Sequence, residues 1–174
     1  MAILDIVVYP ARILQQTAAP VEAVDNEVRQ LLDDMKATMS NAEGVGLAAP
    51  QVNISQRIIV CRLIGEDGVP KELYEMINPE ITARAGSITW EEGCLSIPGF
   101  RMEIERHEFI TCNYLNRNGE AQTIEAGGLL AVVIQHEIDH LDGKLIIDNI
   151  SSLKREMYLS KLKKGKIAIN YKIK

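Results

Sequence analysis

The chain of 174 residues is nearly half apolar and one quarter charged, which is typical of a globular protein with one hydrophobic core. It has no apolar run near the roughly 20 residues of a membrane-spanning helix, and its first residues lack the basic and apolar regions of a signal peptide. The three cysteines are odd in number and widely spread, which argues against a disulfide framework and for a reducing compartment. We therefore expect one domain over residues 1–174, located in the cytoplasm and without a membrane partner.

The formal net charge is −5, so the chain as a whole lacks the basic excess that is typical of DNA-binding proteins. The charge is uneven, however, because eight lysines and arginines after Ile150 accompany only one acidic residue, Glu156. Residues 151–174 therefore carry +7, and the rest of the chain carries −12. Such a basic segment indicates either a polyanionic partner or a solvated helix face that aids solubility.

The spacing of apolar residues predicts helices and strands in a mixed order. In the N-terminal half we expect a helix over 26–40, a tightly packed loop over 43–51, a buried strand over 57–63, a turn over 65–70, and strands over 73–78 and 81–89. Pro79 is expected to separate the last two strands. Gly44 and Gly46 allow the backbone of the packed loop to approach other groups closely.

In the C-terminal half we expect a bend over 90–99, a strand over 101–116, a hairpin turn over 117–120, a returning strand over 122–125, a helix over 128–141, a short strand over 145–147 and a helix over 151–164. Asn118 and Gly119 suit positive φ at both central positions of the turn. Leu153, Met157 and Leu162 are predicted to face inward on the last helix. The fold class is α+β: mostly antiparallel sheets surround the helix over 128–141, with an N-terminal and a C-terminal helix.

Two of the three histidines lie four residues apart on this central helix. His136 and His140 project from nearly the same face, about 6 Å apart along the axis, so both imidazoles can bind one metal ion. Glu137 follows His136 and can act as a base toward a water molecule at the metal. Ordinary partly buried histidines are the alternative, but the full pattern favours a hydrolytic metal site.

A catalytic metal site usually has three protein ligands, so one ligand is needed besides the two histidines. His107, in a predicted strand, is one candidate, and Glu156, on the basic helix, is a weaker one. Cys94 is favoured, because it lies in a bend constrained by Gly and Pro and its thiolate is a soft ligand for zinc or ferrous iron. Cys61 and Cys112 lie within predicted strands and are expected to be core residues.

Three segments together resemble the peptide deformylase family, whose motifs are G-x-G-x-A-A-x-Q, E-G-C-x-S and H-E-x-x-H in this order. The matching segments are residues 44–51, 92–96 and 135–143, and they retain every chemical residue of the motifs. The resemblance covers essentially the whole chain. It implies that Cys94, His136 and His140 bind one divalent metal ion, commonly Fe²⁺ in this family, with Zn²⁺, Ni²⁺ or Co²⁺ as alternatives.

The resemblance also implies the reaction. Members of the family hydrolyse the N-formyl group of newly made polypeptides that begin with formyl-methionine, and they release formate. Glu137 would then be the general acid and base, while the Gln51 side-chain amide and the Leu95 backbone N–H would stabilise the oxyanion. Because bacterial members dock on the ribosome, the basic segment over 151–174 would be the docking element.

The same mapping assigns the substrate-binding residues. Gly46 would offer backbone hydrogen bonds to the peptide, and Glu92 and Arg101 would support the site near the substrate. The residues that would surround the methionine side chain are Val45, Trp90, Leu129, Val132 and Val133.

Two other functions are compatible with parts of the sequence. A metallopeptidase that cuts internal peptide bonds shares the H-E-x-x-H motif, but the chain lacks a clear downstream His or Glu ligand of that class. A ribosome- or RNA-binding protein with a structural metal is supported by the +7 segment. A closed structural zinc site needs four ligands, however, and no fourth ligand is evident.

Overall fold

A computed structural model describes residues 1–65 and 68–174. The helices are α1 (Asn26–Asn41), α2 (Gly128–Leu141) and α3 (Ser152–Lys163), with short 3₁₀ turns at Arg12–Gln15, Ala49–Val52 and Ile146–Asn149. The strands are β1 (Gly46–Ala48), β2 (Ile58–Ile64), β3 (Pro70–Ala85), β4 (Ile88–Cys94), β5 (Ile97–Arg106), β6 (Phe109–Leu115) and β7 (Ala121–Gly127). The α+β prediction, with antiparallel sheets, a central helix and a helix toward each end of the chain, is confirmed.

The strands form two antiparallel sheets that meet around α2. The larger sheet has the order β1-β2-β3-β6-β7, and β4 and β5 form a separate two-stranded hairpin. Apolar residues of α2, including Ala131, Ile134 and Ile138, pack in one core with Ile59 and Met76 of the larger sheet. This packing fixes the rotation of α2, so that another face of the helix is turned toward the hairpin.

Helix α1 begins where the sequence predicts it and covers one face of the β1–β2 region. The side chain of Asp25 caps its N-terminus by accepting a hydrogen bond from the Val28 backbone N–H at 2.9 Å. Leu32, Met35 and Met39 are fully buried at spacings of three and four residues. The helix thereby supports the short edge strand β1, which replaces part of the loop predicted over 43–51.

The prediction that Pro79 separates two strands was wrong, because β3 runs through it. The register with β6 shifts between Ile77 and Glu80, and Asn78 has a positive φ of 51°. A β-bulge leaves residues without ladder partners, which is where proline fits within a strand. The Asn78 side chain secures the bulge by accepting from the Val21 N–H and donating to its carbonyl, both at 2.8 Å.

The single strand predicted over 101–116 is two strands in two different sheets. The chain leaves the hairpin at Arg106 and enters the larger sheet at Phe109. Gln135 of α2 stabilises this crossing, since its Oε1 accepts from the His107 N–H at 3.1 Å and its Nε2 donates to the His107 carbonyl at 2.8 Å. The alternating sequence continues across the break and therefore conceals it.

The β6–β7 hairpin is confirmed, but its turn differs from the prediction. Only Gly119 has a positive φ there, at 79°, and the Asn116 side chain accepts from the backbone N–H groups of Asn118 and Glu120. The short strand predicted over 145–147 is instead a 3₁₀ turn. Part of the turn predicted over 65–70 lies outside the described residues.

The inward face predicted for α3 was wrong for Leu153 and Met157 and correct for Leu162. Leu153 and Met157 are 65% and 55% exposed, while Tyr158 is buried with Leu162 packed beside it. The last turn of this helix is rich in lysine, as expected. Within the described residues, no helix is long and apolar enough to cross a membrane.

Candidate active site

Three elements bring the predicted metal ligands together. Cys94 is the last residue of β4, where the register of the hairpin shifts, and His136 and His140 lie on α2. One potential ligand atom from each residue lies within 4.8 Å of those of the other two. Cys94 Sγ is 3.2 Å from His140 Nε2, and the two imidazole rings are 5.0 Å apart at their centroids.

The other candidate ligands lie outside this cluster. His107 is exposed at the crossing between the sheets, and Glu156 is exposed on α3. Neither belongs to a group of potential metal ligands within the part of the chain that the structure describes. Cys61 and Cys112 are fully buried in the core. Burial raises the pKa of the Cys112 thiol to about 11 and that of the Cys61 thiol further still, so both are neutral core groups.

A buried carboxylate orients His136 from behind. Glu92 Oε2 lies 2.7 Å from His136 Nδ1, and Arg106 grips the same carboxylate with two hydrogen bonds of 2.5 and 2.9 Å. Arg106 also donates to Asp139 at 2.7 Å. Burial opposes the charge of Glu92, but Arg106 and His136 outweigh it and lower the pKa of that carboxyl. Glu92 therefore acts on His136, leaving its Nε2 for the cluster.

Arg106 and Asp139 are two site residues that sequence reasoning missed. Arg106 lies at the end of β5, distant in sequence from the H-E-x-x-H motif, so no local spacing indicates the contact. Asp139, three residues after His136, is inside the motif but has no assigned role in it. A buried arginine between two carboxylates is visible only once the hairpin packs on α2.

Glu137 is almost completely buried between the two histidines of the helix. Its Oε2 has no hydrogen-bond partner within the described residues. Burial raises the pKa of Glu137 to about 7. A carboxyl group with a pKa near neutrality can both accept and return a proton at cellular pH.

The Gly46 backbone of β1 packs directly on the carboxylate of Glu137. A β-carbon at position 46 would lie only 2.8 Å from Glu137 Cδ, which is closer than real contacts allow. This contact therefore requires glycine at position 46, the second glycine of the first motif. It places an edge strand of the larger sheet beside the candidate base.

Gln51 points its amide toward the cluster. Its Oε1 accepts a hydrogen bond from the Ala48 N–H at 2.8 Å, which directs Nε2 to the other side. Nε2 lies 3.2 Å from Ser96 Oγ and 3.6 Å from Cys94 Sγ. Leu95 follows Cys94 in the tight turn between β4 and β5. Two potential hydrogen-bond donors, the Gln51 amide and the Leu95 N–H, thus belong to residues beside Cys94.

A cavity of about 550 Å³ opens over the cluster. Its lining includes every residue predicted to bind substrate: Val45, Gly46, Trp90, Glu92, Arg101, Leu129, Val132 and Val133. His136, Glu137 and Gln51 also line it. Ala168, Asn170 and Tyr171 line it as well, and sequence reasoning did not place the C-terminal segment there.

The donor set fits a divalent metal ion. One thiolate and two imidazoles are the ligands that zinc and ferrous iron accept, and three ligands leave a position for a water molecule. The second indication is Glu137 Oε2, which lies beside the cluster and has no partner in the described part of the chain, because a buried carboxylate oxygen without a partner is costly unless a ligand satisfies it.

Comparison with known proteins agrees with this chemistry. A family model described as polypeptide deformylase matches residues 3–156. A peptide deformylase from Alkalilimnicola ehrlichii is 53% identical over 94% of this chain and 91% of its own length. A crystal structure of a peptide deformylase from Legionella pneumophila is 44% identical, covers 95% of this chain and 96% of its own, and has a TM-score of 0.86. One from Ehrlichia chaffeensis in complex with actinonin is 39% identical, covers 95% and 98%, and has a TM-score of 0.88.

Proposed function

The chain belongs to the polypeptide deformylase family, whose members are hydrolases that remove the formyl group from N-formyl-methionyl peptides, and we propose that it performs this hydrolysis at the Cys94, His136 and His140 cluster. The observation that carries the proposal is the buried Glu137 oxygen, which has no partner among residues 1–65 and 68–174 and lies beside three metal-type ligands at the base of a largely apolar cavity. This arrangement suits the activation of a water molecule against a small acyl group.

Cys94, His136 and His140 would hold one divalent metal ion, and we propose ferrous iron, with zinc, nickel or cobalt as substitutes. The family is metal-dependent. When bound, the metal supplies a Lewis acid that lowers the pKa of a water molecule toward neutrality. Metal analysis of protein purified without oxygen identifies the ion, and zinc as the sole bound metal would refute the choice of iron.

Glu137 moves the protons of the reaction. In the first step it accepts a proton from the water molecule that attacks the formyl carbon. In the second step it returns that proton to the leaving amine, which yields formate and a free N-terminus. The pKa of about 7 suits both steps, because neither form of the carboxyl is strongly favoured at neutral pH.

The Gln51 amide and the Leu95 N–H stabilise the charge that develops on the formyl oxygen. The contact from the Ala48 N–H fixes the Gln51 amide before the substrate arrives. A preoriented donor of this kind contributes about 3–4 kcal/mol of transition-state stabilisation.

The peptide lies along the edge strand β1, where the Gly46 backbone can hydrogen-bond it. β1 is the outer strand of the larger sheet, so one edge of its backbone faces away from β2. An extended peptide can add to such an edge. The apolar part of the lining, formed by Val45, Trp90, Leu129, Val132 and Val133, would hold the methionine side chain, and Arg101 stands at the exposed margin.

The first experiment measures formate release from formyl-Met-Ala-Ser by protein purified anaerobically and loaded with ferrous iron or nickel. The matched variant is Glu137→Gln, which keeps the size of the side chain and removes the base. We expect turnover by the wild type and a rate of formate release at least ~100-fold lower in the variant, with metal content unchanged. No turnover by a fully metallated wild type would refute the proposed function.

Casein serves as the comparison substrate, because an endopeptidase would hydrolyse it. We expect no cleavage of casein under conditions that give rapid formate release. Loss of metal from Glu137→Gln would contradict the assigned role of this residue, since a base outside the ligand set should not be needed to retain the ion.

We also propose that the lysine-rich face of α3 docks on the ribosome, which brings the enzyme to nascent chains in the cytoplasm. Lys154, Lys161, Lys163 and Lys164 are exposed, and none has an acidic partner within 4 Å among the described residues. Ribosomal RNA is a polyanion, so these free charges suit it. Lys172 belongs to the folded-back C-terminal segment, where it pairs with Asp5 at 2.6 Å, and does not contribute to this face.

A further inference from the structure

The N-terminal segment contacts the main chain of Gln51 and of the turn that contains Leu95. The Val7 N–H donates to the Gln51 carbonyl at 2.7 Å, and the Tyr9 N–H donates to the Ser96 carbonyl at 2.8 Å. Ser96 is the second residue of the turn that follows Cys94. One extended segment therefore fixes the main chain of Gln51 and one side of the Leu95–Ser96 turn.

The C-terminal segment lies on the N-terminal one and extends the same support. The Ile6 N–H donates to the Lys172 carbonyl at 3.0 Å, and the Lys174 N–H donates to the Ile6 carbonyl at 2.9 Å. Ile167 packs on Gly99 of β5 so closely that a β-carbon there would lie 2.8 Å from Ile167 Cγ2. The segment after α3 is thus anchored both to the N-terminal segment and to the hairpin.

Tyr171 connects this segment to the turn. Its hydroxyl donates to the Leu95 carbonyl at 2.6 Å, and its side chain is partly buried at the wall of the cavity. The Leu95 carbonyl is held by Tyr171 and the Ser96 carbonyl by Tyr9. Both carbonyls of the two-residue turn are therefore fixed from outside the hairpin.

We propose that Tyr171 is a positioning residue for the reaction and that it acts through the main chain of Leu95. The inference rests on the proposed function, in which the Leu95 N–H stabilises the oxyanion. Rotation of the Leu95 backbone would turn that N–H away from the developing charge. An oxyanion donor is effective only when it is oriented in advance. The Tyr171 hydrogen bond contributes to this orientation by fixing the Leu95–Ser96 peptide group, which limits rotation about the Leu95 backbone bonds that connect it to the N–H.

The test compares Tyr171→Phe with Tyr158→Phe. Each substitution removes one hydroxyl and keeps the ring, and the Tyr158 hydroxyl donates to the Pro98 carbonyl at 2.9 Å in the same hairpin. For formate release from formyl-Met-Ala-Ser, we expect Tyr171→Phe to lower kcat about threefold to tenfold with KM unchanged, as loss of one oriented hydrogen bond predicts. We expect Tyr158→Phe to leave kcat unchanged.

Other kinetic results would overturn the inference. A higher KM with unchanged kcat would show that Tyr171 contributes only to substrate binding, as part of the cavity wall. An equal loss of kcat in Tyr158→Phe would indicate a general loosening of the hairpin.

A second measurement needs no substrate. The ¹⁵N order parameter of the Leu95 amide should fall in Tyr171→Phe and stay at its wild-type value in Tyr158→Phe. If the wild type releases formate and the Leu95 order parameter is unchanged in Tyr171→Phe, the inference about Tyr171 is refuted and the proposed function is not. Absence of formate release by the wild type would instead refute the proposed function, and the two failures are therefore distinguishable.

Discussion

The backbone of Gly46 lies against the carboxylate of Glu137 so closely that no β-carbon fits between them. This contact joins the edge of the larger sheet to the candidate base on α2. Glu137 is otherwise buried, and the open side of its carboxylate is the cavity that it lines. The smallest side chain that can be added at position 46 should therefore displace the carboxylate.

We predict that Gly46→Ala lowers kcat/KM for formyl-Met-Ala-Ser about 100-fold, since a displacement of about 1 Å in a catalytic group has an effect of that size. Metal content should stay at the wild-type value. Gly127→Ala is the control, because the nearest group to its β-carbon would be the ring of Phe109, at 3.0 Å, and that ring is 53% exposed and can shift. Full activity in Gly46→Ala would show that Glu137 tolerates displacement.

Cys94→Ser should weaken metal retention. A serine hydroxyl is a harder and much less acidic ligand than a thiol, so the site would keep only two good ligands. We expect the variant to lose its metal during dialysis that leaves the wild type loaded, as measured by elemental analysis. Cys112→Ala is the matched control and should keep its metal; retention by Cys94→Ser would exclude Cys94 as a ligand.

Arg106→Gln should destabilise the fold through Glu92. The substitution leaves a carboxylate that is only 5% exposed without its cation, and breaking a buried pair in this way costs about 3–5 kcal/mol of unfolding free energy. Urea denaturation measures the loss. Arg57→Gln removes the more exposed pair with Asp142 and should cost less than about 1 kcal/mol.

The same Arg106 variant should bind metal about 10- to 100-fold more weakly, since Glu92 would no longer hold His136 in position. Competition with a chelator gives the affinity. If Arg106→Gln is destabilised but binds metal with wild-type affinity, Arg106 stabilises the fold without affecting the metal cluster.

Replacement of Lys161, Lys163 and Lys164 by glutamate should weaken ribosome binding by at least about tenfold at low salt and should flatten its salt dependence. Formate release from a free tripeptide should not change. The control replaces three exposed basic residues elsewhere, Lys71, Arg84 and Lys144, with glutamate and so changes the net charge equally. Equal weakening in both variants would attribute the effect to net charge.

The sequence predicts local elements well where one period dominates. The bounds of α2 match the prediction because its apolar residues follow a helical spacing throughout, and α1 has a clear cap and stripe. The break at His107 and the bulge at Pro79 were missed, since both depend on how strands pair: the chain changes sheets at His107, and the register between β3 and β6 shifts at Pro79. A local pattern contains no information about that choice.

The sequence motifs indicate which residues belong to the candidate site, but they do not indicate the contacts that connect the motifs in space. Spacing places His136 and His140 on one face, but the Arg106 bridge depends on the packing of the hairpin against α2. The charge of residues 151–174 suggested one basic element. In the structure this stretch divides into an exposed helix and a segment that returns to the cavity, and composition cannot distinguish the two.

The return of the C-terminal segment has a consequence for biosynthesis. A ribosome makes the chain from its N-terminus, and the residues that have already emerged can fold while synthesis continues. The segment that contains Tyr171 is made well after β4, β5 and α2, yet it supports the Leu95 turn and walls the cavity. An enzyme proposed to act on growing polypeptides therefore cannot complete its own active site until this late stretch has emerged, which separates the time of its synthesis from the onset of its activity.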